Sequence, residues 1–276
     1  MQEPTRLRAL TQAPINLMFV IDEQMVLQAL KLLNTIIAHN RHEPLALYIV
    51  CDHVSWRWRQ IFKQAVANLP QITLHLVTPH MALPKNLATS YRIPHTAYYR
   101  IYVDQLLASL PVNRILYLDV DMINVGALRP LYETDLGHNV IGAVADGGDL
   151  GRFAQMDLAH VPNTRYFNSG VLLIDVDKWR DAQIATQVLT YAQDFADRCK
   201  YHDQDALNAI LHSSWQELHP RYNAQTNIML GDTTRYDLQT LQAVRKQPVL
   251  VHFCGRKKPW RADFPHQALQ ALYYQA

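Results

Sequence analysis

Residues 15–51 read INLMFVIDEQMVLQALKLLNTIIAHNRHEPLALYIVC, and this stretch decides the fold class. Ile15 to Ile21 is short, apolar and rich in branched and aromatic side chains, which predicts a strand. After it, Val26, Leu30, Leu33 and Ile37 recur at spacings of 4, 3 and 4, the period of one helix face. Leu45 to Cys51 is then an unbroken apolar run, the pattern of a strand covered on both faces. Strand, amphipathic helix and covered strand together make a βαβ unit.

The rhythm continues outward. A helix is predicted over Trp56 to Leu69, and a strand over Ile72 to Val77 that stops at Thr78-Pro79. Farther on come a helix from Thr96 to Leu110 and strands at Arg114 to Leu118, Val140 to Ala145 and Gly170 to Val176. Helices are expected near Asp181 to Asp197 and Asp203 to His212. Interleaved strands and helices imply an α/β fold around a mostly parallel central sheet. With no internal repeat and no Gly/Ser linker, residues 15–276 read as one domain behind a polar leader, residues 1–14. The polar stretch from Ala145 to Phe167 is long for a connection; it reads as a functional loop or as a surface insertion.

Composition narrows the function. The 276 residues are 49% apolar and carry 26 Lys plus Arg against 24 Asp plus Glu, a net charge of +2 that is too balanced for an electrostatic nucleic-acid binder. The seven-residue run Leu45 to Cys51 is the longest apolar one, far short of the roughly 20 residues that cross a bilayer. Met1 to Ala13 lacks the apolar region of a secretory signal, so a cytoplasmic location is expected. Cys51, Cys199 and Cys254 are odd in number and lack CxxC spacing, which predicts reduced thiols and no zinc site.

Three segments could carry chemistry. In Arg114-Ile-Leu-Tyr-Leu-Asp119-Val-Asp121-Met-Ile an apolar strand ends in Asp-x-Asp, and the two-residue period of a strand sets both carboxylates on one face. Such a pair suits a divalent cation with hard oxygen ligands, Mg²⁺ or Mn²⁺, although a turn cap and a solvated acid account for it too. Tyr201-His202-Asp203-Gln204-Asp205 opens a helical run, where acids also favour the helix dipole. Val249-Leu-Val-His252-Phe-Cys-Gly255-Arg-Lys-Lys258-Pro-Trp260 is a strand entering a basic turn, in which Lys257 and Lys258 suit phosphate and Gly255 permits close backbone approach. A histidine at a strand end is, by itself, more often structural than a ligand. All three segments agree on one ligand, a metal-bridged diphosphate.

The order of Phe19-Val-Ile-Asp22, Tyr117-Leu-Asp119-Val-Asp121, Phe167-Asn168-Ser169-Gly170-Val-Leu-Leu-Ile, His202-Asp203-Gln204-Asp205 and His252-Phe-Cys-Gly255-x-x-Lys258-Pro-Trp260 resembles the retaining family 8 glycosyltransferases, above all the bacterial lipopolysaccharide galactosyl- and glucosyltransferases. The resemblance spans about residues 15 to 262. It implies a GT-A fold with a Rossmann-like nucleotide-binding half, and a UDP-galactose or UDP-glucose donor held by Mn²⁺ or Mg²⁺. By the matched motifs, Asp119, Asp121 and His252 ligate the metal. Val20 and Asp22 approach the uracil, Gly255 and Lys258 contact the diphosphate, and Arg100 lies near sugar and phosphate. Asp146, Asn168, Ser169, Asp203 and Gln204 fall where the family lines the donor sugar. The chain departs from close relatives at Gln24 and Met25, where they carry Asn-Tyr and hence an aromatic platform.

Retention demands a covalent intermediate or attack from the face that UDP leaves. Gln204 occupies the matched position where a nucleophile would sit, and an amide is a poor one, so same-face attack is expected with Gln204, Asp203 and Asp146 around the reacting sugar. The acceptor is a carbohydrate or glycoconjugate, with no nucleic-acid partner, no membrane-spanning segment, and peripheral membrane contact left open. Two other readings of Asp-x-Asp are an aspartyl phosphatase of the haloacid dehalogenase type and a protein that binds UDP-sugar without transferring it.

Overall fold

A computed structural model describes residues 12–88, 95–148, 151–162 and 165–276. Most of the expected leader lies outside the described residues. Strands β1 (Ile15–Ile21), β2 (Leu45–Cys51), β3 (Ile72–Val77), β4 (Arg114–Leu118), β6 (Ile141–Ala145), β7 (Phe167–Asp175) and β8 (Trp215–Glu217) form a seven-stranded sheet in the order β3-β2-β1-β4-β7-β6-β8. A small second sheet holds β5 (Met122–Asn124), β9 (Ala224–Gln225) and β10 (Leu250–His252) in the order β5-β10-β9. The longer helices are α1 (Val26–His39), α2 (Trp56–Val66), α3 (Ile184–Asp194), α4 (Asp203–Leu211), α5 (Leu238–Lys246) and α6 (Gln267–Gln275).

The βαβ unit of residues 15–51 forms as expected: β1 and β2 pair in parallel from Ile15 opposite Leu45 to Ile21 opposite Cys51. Alternation across the pleat then divides the core in two. Met18, Tyr48, Val50, Ile115, Tyr117, Leu172 and Ile174 face one layer, which includes Val188 of α3 and Leu207 of α4. Leu17, Phe19, Leu47, Ile49, Leu116, Leu118, Val171 and Leu173 face the other, with Val26 and Leu32 of α1 and Phe62 of α2. Both sheet faces are covered, which is why the central strands carry so few polar letters.

The sheet is mostly parallel. Only β7 opposes its neighbours, pairing antiparallel with both β4 and β6. β7 starts at Phe167, three residues before the expected Gly170, so Asn168 and Ser169 are strand residues. In α1 the buried stripe is Val26, Ala29, Leu32, Leu33 and Ile36, with Leu30 and Ile37 half-buried at its flanks. α2 stops at Val66, short of the expected Leu69, because the residue before Pro70 disfavours helical backbone. The expected helix from Thr96 to Leu110 is instead a 3₁₀ helix, His95–Tyr102, followed by one α-turn, Val103–Leu106. Thr96 and all five residues from Tyr98 to Tyr102 are buried, so packing on every side sets the winding there and not helix propensity.

A buried amide network ties the small sheet to α1. Asn40 donates to Asn124 Oδ1 at 2.9 Å and accepts from Leu128 N at 2.8 Å, while Asn124 donates to Val249 O at 3.0 Å. Those bonds fix β5 and β10 against the large sheet, and with them the two chain segments that build the site.

Candidate active site

Asp119 and Asp121 lie just past the end of β4, in the turn that leads into β5. They do not share a strand's pleat, as the sequence suggested; the turn itself points them together. Its backbone is held on both sides, Asp119 N donating to Gly170 O at 2.8 Å and Phe253 N to Asp121 O at 3.0 Å. Antiparallel pairing of β5 with β10 sets His252 opposite Met122, next in chain to Asp121. One ligand atom from each of Asp119, Asp121 and His252 then falls within 4.8 Å of the other two.

The histidine is oriented by a second residue. Asn223 donates its amide to Asn168 Oδ1 at 2.9 Å, so its own Oδ1, 3.0 Å from His252 Nδ1, acts as acceptor. That holds the proton on Nδ1 and leaves Nε2 to face Asp121 Oδ1, 3.1 Å away. Gly170 makes room for this: a Cβ there would overlap the imidazole and lie 3.0 Å from Asp119 Oδ2. Burial disfavours the charged form of Asp121, but the ammonium of Lys258 and the His252 ring outweigh it and hold the carboxyl well below the usual range. Burial lowers His252, and Cys254 and Asp121 beside it reverse the sign and raise it. Two carboxylates and an imidazole whose Nε2 is turned towards them form a donor set that fits a divalent cation.

Arg100, from the 3₁₀ segment, links the acids. Its Nη1 lies 3.0 Å from Asp119 Oδ1 and donates to Ser169 O at 3.1 Å. Its Nε donates to Ala97 O at 3.0 Å and also lies 3.0 Å from Asp203 Oδ2, an ion pair that is not aligned as a hydrogen bond. The guanidinium stacks on the Tyr117 ring, centroid 4.6 Å away, and the Tyr117 hydroxyl donates to Asp119 Oδ1 at 2.6 Å. Asp203 is buried, and that burial pushes its carboxyl up to about 6; Arg100 opposes the shift and the charge of Asp119 adds to it.

A chain of amides continues from Asn168. Asn168 donates to Asp146 Oδ2 at 3.1 Å, and Gln204 Nε2 donates to the same oxygen at 3.2 Å. Gln204 Oε1 accepts from Ser169 N at 3.1 Å. The Tyr166 hydroxyl, 3.2 Å from Gln204 Nε2, donates to Asp205 Oδ1 at 2.6 Å. Asp205 is paired bidentately with buried Arg152, at 3.1 and 2.6 Å. Neither Asp203 nor Asp205 is the N-cap of α4; His202 holds that place, makes no capping bond and has a φ of 52°. Both acids lie in the first turn of α4, where the helix dipole favours them, and both are in addition buried and ion-paired.

The structure thus joins Arg100, Asp119, Asp121, Asp146, Asn168, Ser169, Asp203, Gln204, His252 and Lys258 in one connected set. Lys258 contacts Asp121 and donates to Phe253 O at 2.9 Å. Asp22 stands apart as the cap of the turn Glu23–Met25, accepting from Gln24 N at 2.9 Å, and Val20 is half-buried at the end of β1. Gly255 lies in an exposed turn with φ of 100°, a backbone that favours glycine. Sequence reasoning missed Tyr117 as a partner of Asp119, and also Asn223, Tyr166, Asp205 and Arg152. Tyr117 lay within a quoted motif, whereas Asn223 and Arg152 carry no periodic signal.

With this geometry, comparison with known proteins gives one consistent result. The family model for glycosyl transferase family 8 matches residues 16–263. The chain is 37% identical over 182 residues to general stress protein A of Bacillus subtilis (strain 168), covering 64% of this chain and 63% of that one, less than two thirds of its length. It is 30% identical over 234 residues to lipopolysaccharide 1,2-glucosyltransferase of Escherichia coli (strain K12), covering 83% and 67%. The crystal structure of galactosyltransferase LgtC with donor and acceptor sugar analogues superposes with a TM-score of 0.75 at 22% identity, covering 95% of this chain and 96% of that one. The fold is therefore the GT-A arrangement, and the aspartyl-phosphatase reading is set aside. From motif order, site geometry and these matches, the chain belongs to glycosyl transferase family 8.

Proposed function

We propose that this chain moves a hexose, galactose or glucose, from its UDP-activated form to a hydroxyl of a glycan or glycoconjugate, with retention at the anomeric carbon, in the cytoplasm. The observation that carries the reading is the Asp119, Asp121 and His252 cluster, with its ligand atoms within 4.8 Å of one another. Mn²⁺, or Mg²⁺ in its place, would be held by those three residues and when bound supplies Lewis-acid stabilisation of charge on the departing diphosphate. Lys258, beside Asp121, adds a positive charge that attracts the same phosphates.

The remaining residues position the sugar. Both ends of the Gln204 amide are tethered, Oε1 by Ser169 N and Nε2 towards Asp146 and Tyr166, which makes it an orienting group and not a nucleophile. Asp203 is buried and ion-paired to Arg100, so its carboxylate is withdrawn from an anomeric carbon at the site surface. That favours same-face attack: the acceptor oxygen bonds to the anomeric carbon as the bond to the diphosphate breaks, and the hydroxyl proton passes to the departing phosphate oxygen. The test is release of UDP and of free or transferred sugar from UDP-galactose and UDP-glucose with Mn²⁺ and with EDTA. Mn²⁺-dependent turnover of one donor is expected; binding of both without release would replace transfer with binding alone.

A further inference from the structure

We infer that a second site, at the end of the small sheet opposite His252, binds a phosphate ester. A cavity of about 590 Å³ opens there beside Val125, which follows β5, and Val249, which precedes β10. Arg221, Arg245 and Lys246 line it and no carboxylate does. None of these three cations makes an ion pair among the described residues, and Arg221 Nε is buried with no hydrogen-bond partner. The cavity wall therefore carries positive charge that no lining side chain neutralises.

Arg245 and Lys246 sit in the last turn of α5, where the helix dipole favours cations. That accounts for two of the three but not for Arg221, which comes from a different element, Pro220–Asn223. The Arg245 guanidinium is laid over Gly231, whose φ of 75° and lack of a Cβ both permit the contact. A guanidinium matches phosphate oxygens by geometry as well as by charge. At about 30 Å³ per water, the cavity exceeds a phosphate group many times over. Met229, Leu272 and Tyr222 on its wall suit the carbon body of an ester.

The test uses the full chain in EDTA without nucleotide sugar, so it stands or falls independently of sugar transfer. One arm titrates glycerol 3-phosphate by calorimetry. The other sediments the protein with vesicles of phosphatidylcholine alone or mixed with phosphatidylglycerol. Saturable binding is expected in at least one arm, weakened roughly tenfold or more in the double variant Arg245→Gln/Lys246→Gln and unchanged in Arg57→Gln/Lys63→Gln, exposed cations on α2. Both variants alter exposed side chains only, and circular dichroism checks their folding. Binding of the soluble ester alone identifies a free organic phosphate; binding of the anionic vesicles alone identifies a lipid headgroup. No saturable binding in either arm, or equal weakening in the two variants, overturns the site.

Discussion

Gly170 shows most plainly how one residue governs the site. Its missing side chain is the space that the His252 ring occupies against Asp119. Gly170→Ala is therefore expected to push the imidazole off its position, costing about 1–3 kcal/mol of stability in denaturant titration. Metal affinity should fall at least tenfold; wild-type metal affinity in that variant would contradict the packing argument. Asn223→Ala removes the acceptor that fixes the His252 tautomer, and about 10–100-fold weaker Mn²⁺ binding is expected by calorimetry. Asp203 makes a pH prediction. Its folded-state carboxyl titrates at about 6 instead of 3.8, so the native state holds an extra proton between those values. Stability from this group is thus present at low pH and lost as pH rises from 3.8 to about 6. The stability of wild type minus that of Asp203→Asn should fall across that window and level off above it. A difference that stays flat from pH 4 to pH 7 would refute it.

At the level of elements, the site depends on turns and short pieces that local sequence describes poorly. β1, β2, β3 and β4 were legible to the residue: β1, β2 and β4 are short, mostly buried apolar runs, and β3, half-buried at the sheet edge, is rich in branched side chains and stops at Thr78-Pro79. The orientation of β7 was not, since a strand's own letters do not state which way its partners run and only its neighbours decide it. The 3₁₀ helix that delivers Arg100 looked like an ordinary helix, because apolar spacing cannot separate winding set by packing from winding set by propensity. Arg152 and Asp205 form another such link, joining the stretch after Asp146 to α4. As this pair is buried and bidentate, Arg152→Ala should cost about 3–5 kcal/mol, read by chemical unfolding, because Asp205 is left buried without its counter-charge. A loss under 1 kcal/mol would mean that Asp205 finds water or another donor.

For the molecule as a whole, the large sheet supplies Asp119 from one strand end and the small sheet supplies His252 from another, 133 residues along the chain. Acids at the end of an apolar strand stand out in sequence, and so did the histidine. Their meeting could be inferred only through family resemblance, since strand pairing between β5 and β10 is a non-local fact. Among the described residues no helix is long and apolar enough to cross a membrane. The central claim is that one cation bridges this junction of two sheets. Its most direct test is calorimetric titration of Mn²⁺ into wild type and into Asp119→Asn and His252→Ala, in the presence of UDP. The account predicts one ion per chain for wild type, bound at least tenfold more weakly by each variant with the fold retained. Equal affinity in all three proteins, or no UDP-linked Mn²⁺ binding at all, would contradict it.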